Sequence, residues 1–221
     1  MDFEERYFSE IYGGSYDLRN PRWKTRALLA AVRQHCRAGR LMDVGCAYGA
    51  FLAEAAADGG FELWGTDLSE HALAEASRRL DGEAVQLQHG GLFDSGGVPG
   101  SFDVVTIFDV IEHIDDLDAA FEQLRVLLRP GGLLAVSVPV YDGPLGPLVD
   151  ALDKDPTHLH KLSRDRWIEL VDAAGFELLE WSGLIRYPIL GKVYLHRQTR
   201  RLRRIAPAIL LLSRLRESPL S

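Results

Sequence analysis

The sequence predicts an α/β protein built on a doubly wound, mostly parallel sheet with helices on both faces. Two observations carry that expectation. Between about residues 40 and 138, short apolar runs alternate with stretches of helical period, the rhythm of repeated βαβ units. The first of those runs also turns into a helix through a loop of small residues, Gly45 to Gly49, at what would be the carboxyl edge of the sheet. Ligands bind at that edge in sheets of this kind.

Taken in order, Arg40 to Val44 reads as the first strand and Tyr48 to Asp58 as the helix after it, closed by Gly59-Gly60. Phe61 to Thr66 makes a second strand that delivers Asp67, and Ser69 is placed to cap a helix running to Leu80. Ala84 to His89 alternates like a half-buried strand, while Phe102 to Phe108 is rich in β-branched residues and reads as a buried one. Leu117, Phe121, Leu124 and Leu128 fall on one helical face, and Pro130-Gly131-Gly132 stops that helix before a fifth strand, Leu133 to Val138. Four prolines then break the rhythm, so 139–163 reads as an insertion over the sheet. Ser163 caps a further helix with Trp167, Leu170, Val171 and Ala174 on one side; Gly175 closes it, and Phe176 to Trp181 is a sixth strand. Beyond Gly191 the pattern reads as a strand followed by a basic helical segment. Three parts are therefore expected: a helical lid over 1–37, a core over 38–185 that contains the insertion, and a basic segment over 186–221.

With 47% hydrophobic and 26% charged residues in 221, one domain with a full-sized core is the natural size class. Cys36 and Cys46 are the two cysteines, too few for a disulfide scaffold and without metal-type spacing, which points to a reducing compartment. No apolar run approaches the roughly 20 residues of a membrane span. The acidic start, Met1 to Glu5, is unlike a secretory leader, which opens basic and then apolar. A cytoplasmic location is expected. The net charge of −7 is uneven: residues 186–221 hold nine Lys/Arg against Glu217, giving +8 and leaving −15 on the rest. Such asymmetry speaks to partners, not to fold.

The strongest chemical signal is Leu41-Met42-Asp43-Val44-Gly45-Cys46-Ala47-Tyr48-Gly49, where a buried strand enters a helix. Small residues there let the backbone approach a ligand, and the first helical N–H groups face it. A turn needed only for packing would use the same residues. Asp67, some 20 residues further on, stands where a carboxylate takes a ribose diol, so loop and acid together point to a nucleoside. An acid, Asp43, precedes the first glycine, which departs from the dinucleotide pattern Gly-x-Gly-x-x-Gly. A carboxylate there repels a pyrophosphate and suits a cationic amine.

On the glycine loop, Asp67, and Phe102-Asp103-Val104-Val105 leading to Leu127-Leu128-Arg129-Pro130-Gly131-Gly132, the chain resembles the class I S-adenosylmethionine-dependent methyltransferases over roughly 38–182. The resemblance implies a Rossmann-like fold and S-adenosyl-L-methionine as cofactor. It places Asp43, Gly45, Cys46, Ala47 and Gly49 under the methionine part, Asp67 and Leu68 at the ribose, and Gly91, Leu92 and Phe93 beside adenine. Phe108 and Asp109 complete that set. Many relatives carry Asp where Gly91 stands, and glycine where Ala47 stands.

The fourth strand ends in Phe108-Asp109-Val110-Ile111-Glu112-His113. If the chain turns into a helix there, Asp109 and Glu112 share a face, and carboxylates with an imidazole suit a divalent cation such as Mg2+. The set is similar to the acid-x-x-Glu-His…His pattern of ubiquinone-pathway O-methyltransferases and small-RNA 2′-O-methyltransferases. That implies Asp109, Glu112, His113 and His158 as metal ligands, with His160 second to His158 by position. The same Glu-His also stands in metal-free relatives, where it shapes the cofactor pocket. His113 or His158 is alternatively a general base without metal, and His160 a hydrogen-bonded loop residue.

At the two ends, Tyr7, Phe8, Tyr12, Tyr16 and Trp23 make either a lid or a helix packed on the sheet, with Tyr12 or Tyr16 expected at the cofactor. Arg197, Arg200, Arg201, Arg203 and Arg204 precede apolar Ile205 to Leu212. That pattern fits a peripheral contact with an anionic membrane, a solvated helix or a homodimer contact. The acidic body and the lack of an RNA-binding module weigh against nucleic acid. The expected function is O-methylation of a hydroxyl on a small-molecule acceptor. The alternatives are an RNA 2′-O-methyltransferase, a non-catalytic nucleoside-binding partner subunit and, disfavoured by Asp43, a dehydrogenase.

Overall fold

In the computed structural model, residues 16–153, 155–189 and 193–217 are described. Their elements are α1 (Tyr16–Arg19), α2 (Arg22–Arg33), β1 (Gly39–Val44), α3 (Ala50–Asp58), β2 (Phe61–Asp67), α4 (Glu70–Arg79), β3 (Val85–His89) and β4 (Phe102–Phe108). A 3-10 turn at Ile111–His113 precedes α5 (Leu117–Leu127), β5 (Leu128–Pro139), α6 (Gly146–Leu152), α7 (Arg164–Ala173), β6 (Phe176–Ile189), β7 (Val193–Thr199) and β8 (Ala208–Leu215). The strands form one sheet in the order β3-β2-β1-β4-β5-β8-β6-β7. β3, β2, β1, β4 and β5 are parallel, as the βαβ rhythm predicts. The order reverses between β1 and β4, and it is outside the carboxyl ends of the strands at such a switch point that sheets of this kind bind ligands.

Successive strand residues feed opposite faces, the period-two rule for a sheet covered on both sides. Leu41, Val104, Leu133 and Ala135 pack with Leu28 and Val32 of α2 and Leu52 of α3. Met42, Val105, Leu134 and Val136 pack on the other face with Phe121 and Leu124 of α5 and Trp167 of α7. Phe121 and Trp167 are essentially fully buried, each contributing on the order of 1.5–3 kcal/mol. The predicted caps form: Ser69 Oγ accepts from Ala72 N and Ser163 Oγ from Arg166 N.

Two expectations are corrected. The helix after β1 starts at Ala50 rather than Tyr48, because Ala47 and Gly49 both take left-handed backbone, φ 46° and 70°. The expected basic helix near the C-terminus is instead a strand. β8 runs antiparallel between β5 and β6, pairing Pro139 with Ala208 at one end and Leu133 with Arg214 at the other. Ala208 to Leu212 are at most 2% exposed, so this apolar run belongs to the core and is closed to any lipid surface. No helix among the described residues is long and apolar enough to cross a membrane.

Candidate functional site

The glycine loop is shaped from within. Gly45 N and Cys46 N both donate to Thr66 O at 2.8 and 2.9 Å, and Gly49 N donates to Cys46 O. Gly45 has φ 73°, and a Cβ there would lie 2.4 Å from Val110 Cγ2, so glycine is required twice over. The N–H groups of Gly45, Cys46, Ala47 and Gly49 are thus engaged within the protein rather than presented to a ligand. Shape, more than donors, brings a ligand close.

Asp67 braces the loop and keeps acceptor capacity. Its Oδ2 accepts from Ala47 N at 2.8 Å and its Oδ1 from Ser69 N at 3.0 Å. Each carboxylate oxygen has a second lone pair, so two hydroxyl donors can still be accepted. Burial raises its pKa, with those backbone bonds opposing. Asp43 is buried beside it and accepts from Thr106 Oγ1 at 2.6 Å; burial pushes its carboxyl up to about 7. Beyond Asp67, Leu68 and Phe93 stand half exposed while Leu92 is buried, and a Cβ on Gly91 would meet Leu68 Cδ2 at 3.2 Å. Two exposed apolar side chains beside a carboxylate with acceptor capacity to spare fit a flat heterocycle on a ribose. The residues present therefore fit a nucleoside with a cationic amino-acid tail. Tyr16 stacks on Tyr48 of the loop with ring centroids 4.3 Å apart, and Tyr48 Oη lies 3.1 Å from His71 Nε2. Tyr7, Phe8 and Tyr12 lie outside the described residues.

At the end of β4 the chain breaks from the expected helix. Asp109 is left-handed at φ 57°, and the turn that follows starts only at Ile111. Asp109 Oδ1 accepts from Ser137 Oγ at 2.9 Å, and Lys24 Nζ of α2 lies 3.7 Å from Oδ2. Asp109 is thereby separated from the predicted metal set, which closes without it. Glu112, His113 and His158 can each offer one ligand atom within 4.8 Å of the others, with Glu112 fully buried. Phe108 is packed away from this cluster, edge-on to Phe51.

Each imidazole in the cluster is held by its Nδ1. His113 Nδ1 lies 2.8 Å from Thr157 Oγ1, whose hydroxyl donates to Asp155 Oδ1, and 3.0 Å from Thr157 O; both partners accept, so Nδ1 carries the proton. His158 Nδ1 lies 2.9 Å from Asp153 Oδ2, which also accepts from Tyr141 Oη at 2.6 Å. Those two bonds, once the cost of burial is outweighed, keep the Asp153 carboxyl below its usual range and hence ionised; Tyr141 is pushed up, first by burial and then by Asp153. An ionised carboxylate makes His158 Nδ1 a donor as well. Both Nε2 atoms are left with lone pairs, the arrangement that carboxylate- and carbonyl-backed histidines adopt as metal ligands or bases. Burial, then His158, lowers the pKa of His113. One carboxylate and two such imidazoles fit a divalent cation in donor chemistry and spacing. His160 takes the plainer role: its Nε2 lies 2.8 Å from Ile114 O. Leu159 N and His160 N both donate to Glu112 O, pinning the insertion over the turn. Asp153, Thr157 and Tyr141 escaped sequence reasoning; the one trace was an acid five residues before a histidine in an irregular stretch.

Comparison with known proteins matches residues 16–180 to the family described as a methyltransferase domain. The ubiquinone biosynthesis O-methyltransferase of Idiomarina loihiensis is 32% identical over 170 residues, 70% of this chain and 68% of that protein. Its namesake from Thiobacillus denitrificans is 38% identical over 115 residues, 50% of this chain and 46% of its own length. The matched stretches thus cover between about half and two thirds of these relatives. A solved SAM-dependent methyltransferase of Thermotoga maritima shares the fold at a TM-score of 0.70 and 18% identity, covering 96% of this chain and 99% of that one.

Proposed function

Because the chain belongs to the methyltransferase-domain family and is an S-adenosylmethionine-dependent methyltransferase, we propose that it methylates a hydroxyl oxygen of a small-molecule acceptor. The observation that supports the oxygen assignment is the Glu112–His113–His158 cluster, with Glu112 buried, the imidazoles half-buried and both Nδ1 atoms held from behind. A hydroxyl must lose a proton to become a methyl ether, and this cluster offers groups to take it. The names of the curated relatives point the same way.

The donor supplies an electrophilic methyl group on a sulfonium, for attack in line with the departing sulfur. Asp43 and the Gly45–Gly49 loop seat the amino-acid part, with Cys46 and Ala47 in its floor; Asp67 accepts the ribose diol, and Leu68, Gly91, Leu92 and Phe93 flank the base. Aligning two reactants in one crevice accounts for most of the rate, since in-line displacement depends on distance and angle. As the oxygen forms its bond to the methyl carbon, its proton passes to His158 Nε2, and Asp153 steadies the resulting imidazolium. Glu112, His113 and His158 would equally hold a divalent cation, which would supply Lewis acidity to the acceptor oxygen. Of the N-terminal segment, Tyr16 covers the loop side of the cofactor, a reading supported by its stacking on Tyr48, while α2 packs on the sheet.

The test is transfer of radiolabelled methyl from S-adenosylmethionine to a panel of catechols, phenols and alcohols, with amines and RNA as rival acceptors. Label on hydroxyl compounds is expected. Label confined to amines or to RNA would overturn the oxygen assignment while leaving the methyltransferase in place.

A further inference from the structure

Eleven large apolar side chains are exposed among the described residues, and five of them lie on two segments at one corner. Leu148 and Leu152, one helical turn apart on α6, and Leu159 belong to the insertion; they are 53–66% exposed. Leu202 and Ile205 belong to the turn between β7 and β8, at 47% and 40%. The pairing of Pro139 with Ala208 sets that turn beside the carboxyl end of β5, on the edge that carries the glycine loop and the histidines.

A buried cation ties the two segments together. Arg164, 2% exposed, donates from Nε to Asp142 Oδ2 at 2.8 Å in the insertion and from its other nitrogens to Arg203 O and Ala206 O in the turn. Val140 N also donates to Pro207 O at 3.0 Å. The exposed apolar groups therefore stand on one braced platform.

The turn is strongly basic, with four arginines between residues 200 and 204 on a chain of net charge −7. Arg200 is engaged by Glu180 and Arg203 lies over the Trp181 ring at 4.2 Å, while Arg201 and Arg204 are exposed beside Leu202 and Ile205. Leu202 and Ile205 flanked by Arg201 and Arg204 match the layered chemistry of an anionic lipid surface, hydrocarbon beneath and phosphate at the same level, and the acid between Leu148 and Leu152, Asp150, is paired with Lys161. Nucleic acid would leave the leucines unexplained. A twofold contact with a second copy would set the arginine turn against itself.

We propose that this corner docks on an anionic bilayer. Leu148, Leu152, Leu202 and Ile205 enter the interface, Arg201 and Arg204 lie among the headgroups, and the carboxyl edge of the sheet faces the lipid. The contact differs from a basic amphipathic helix, since the run after Ile205 is buried, and it stands independently of which acceptor is methylated.

The experiment is flotation of the full chain with vesicles of phosphatidylcholine alone or mixed with phosphatidylglycerol. Binding is expected to the mixed vesicles only and to fall as salt is raised. R201E combined with R204E should lower partitioning at least about 25-fold, at about fivefold per arginine removed. L202S with I205S should lower it as well, and so should L148S with L152S. Calorimetric binding of S-adenosylhomocysteine, unchanged in every variant, separates lost docking from lost folding. Equal binding to both vesicle types, no binding to either, or wild-type partitioning by the charge-reversed variant would overturn the proposal. So would a concentration-dependent dimer that L202S with I205S dissolves in a chain that ignores vesicles.

Discussion

Asp43 should couple cofactor binding to proton release near neutral pH. It is 4% exposed, and its carboxyl is pushed up to about 7, first by burial, with the Thr106 bond opposing and Asp67 adding. In the unfolded chain an aspartate titrates near 3.9. A pKa raised on folding means that the native state holds the extra proton. The stability contribution is therefore fully present below about pH 4 and is lost as pH rises through about 7. At 1.36 kcal/mol per pH unit, the whole effect is on the order of 4 kcal/mol. A ligand that brings a cationic amine to this loop favours the carboxylate instead and drives the proton off. At pH 7 the group is half protonated, so binding S-adenosylmethionine should release about half a proton, and affinity should rise roughly tenfold between pH 6 and pH 8. Titration calorimetry in buffers of different ionisation enthalpy reads the released protons directly. Asp43→Asn should abolish both the release and the pH dependence of affinity. A wild-type binding enthalpy that is the same in every buffer, or proton release that survives in Asp43→Asn, would refute the assignment of this carboxylate to the amine.

Other perturbations separate the parts of the site. Asp67→Ala removes the acceptor for the diol and the brace on Ala47 N, and should weaken S-adenosylhomocysteine binding by about 1–3 kcal/mol; affinity within twofold of wild type would remove Asp67 from the ribose. If Glu112, His113 and His158 hold a cation, EDTA should abolish turnover and His158→Ala should match it, whereas full activity in EDTA would leave only the imidazole base. Asp153→Asn should lower turnover with cofactor affinity unchanged and shift His158 away from the Nδ1–H tautomer in nitrogen-15 spectra; an Nε2–H tautomer in the wild type would contradict the positioning. Gly65→Ala would put a Cβ 2.5 Å from Leu52 Cδ1 and 3.0 Å from Cys46 Sγ, so overpacking should cost about 1–3 kcal/mol; an unchanged melting temperature would show that α3 can give way.

What could be read from the sequence divides along the distance between the parts. The cofactor half is written locally: Asp43 to Gly49 and Asp67 lie within one βαβ unit, where strand, turn and helix signals are a few residues apart and tertiary context adds little. β8 was misread for the opposite reason. Ala-Ile-Leu-Leu-Leu has no alternation, so its period cannot separate a buried strand from a helix, and its slot between β5 and β6 depends on partners far away in sequence. Asp109 was misplaced because spacing says which residues could share a helical face, not whether a left-handed residue will prevent the helix. The acceptor half is the least legible, since it joins Glu112 and His113 to residues 141–158 through bonds such as Leu159 N and His160 N to Glu112 O. That construction also separates two duties. Of the residues proposed for the nucleoside seat, none comes from the insertion, whereas those that back His113 and His158 all do. Changes at Tyr141, Asp153 or Thr157 should therefore alter what is methylated, or how fast, while the nucleoside seat stays intact.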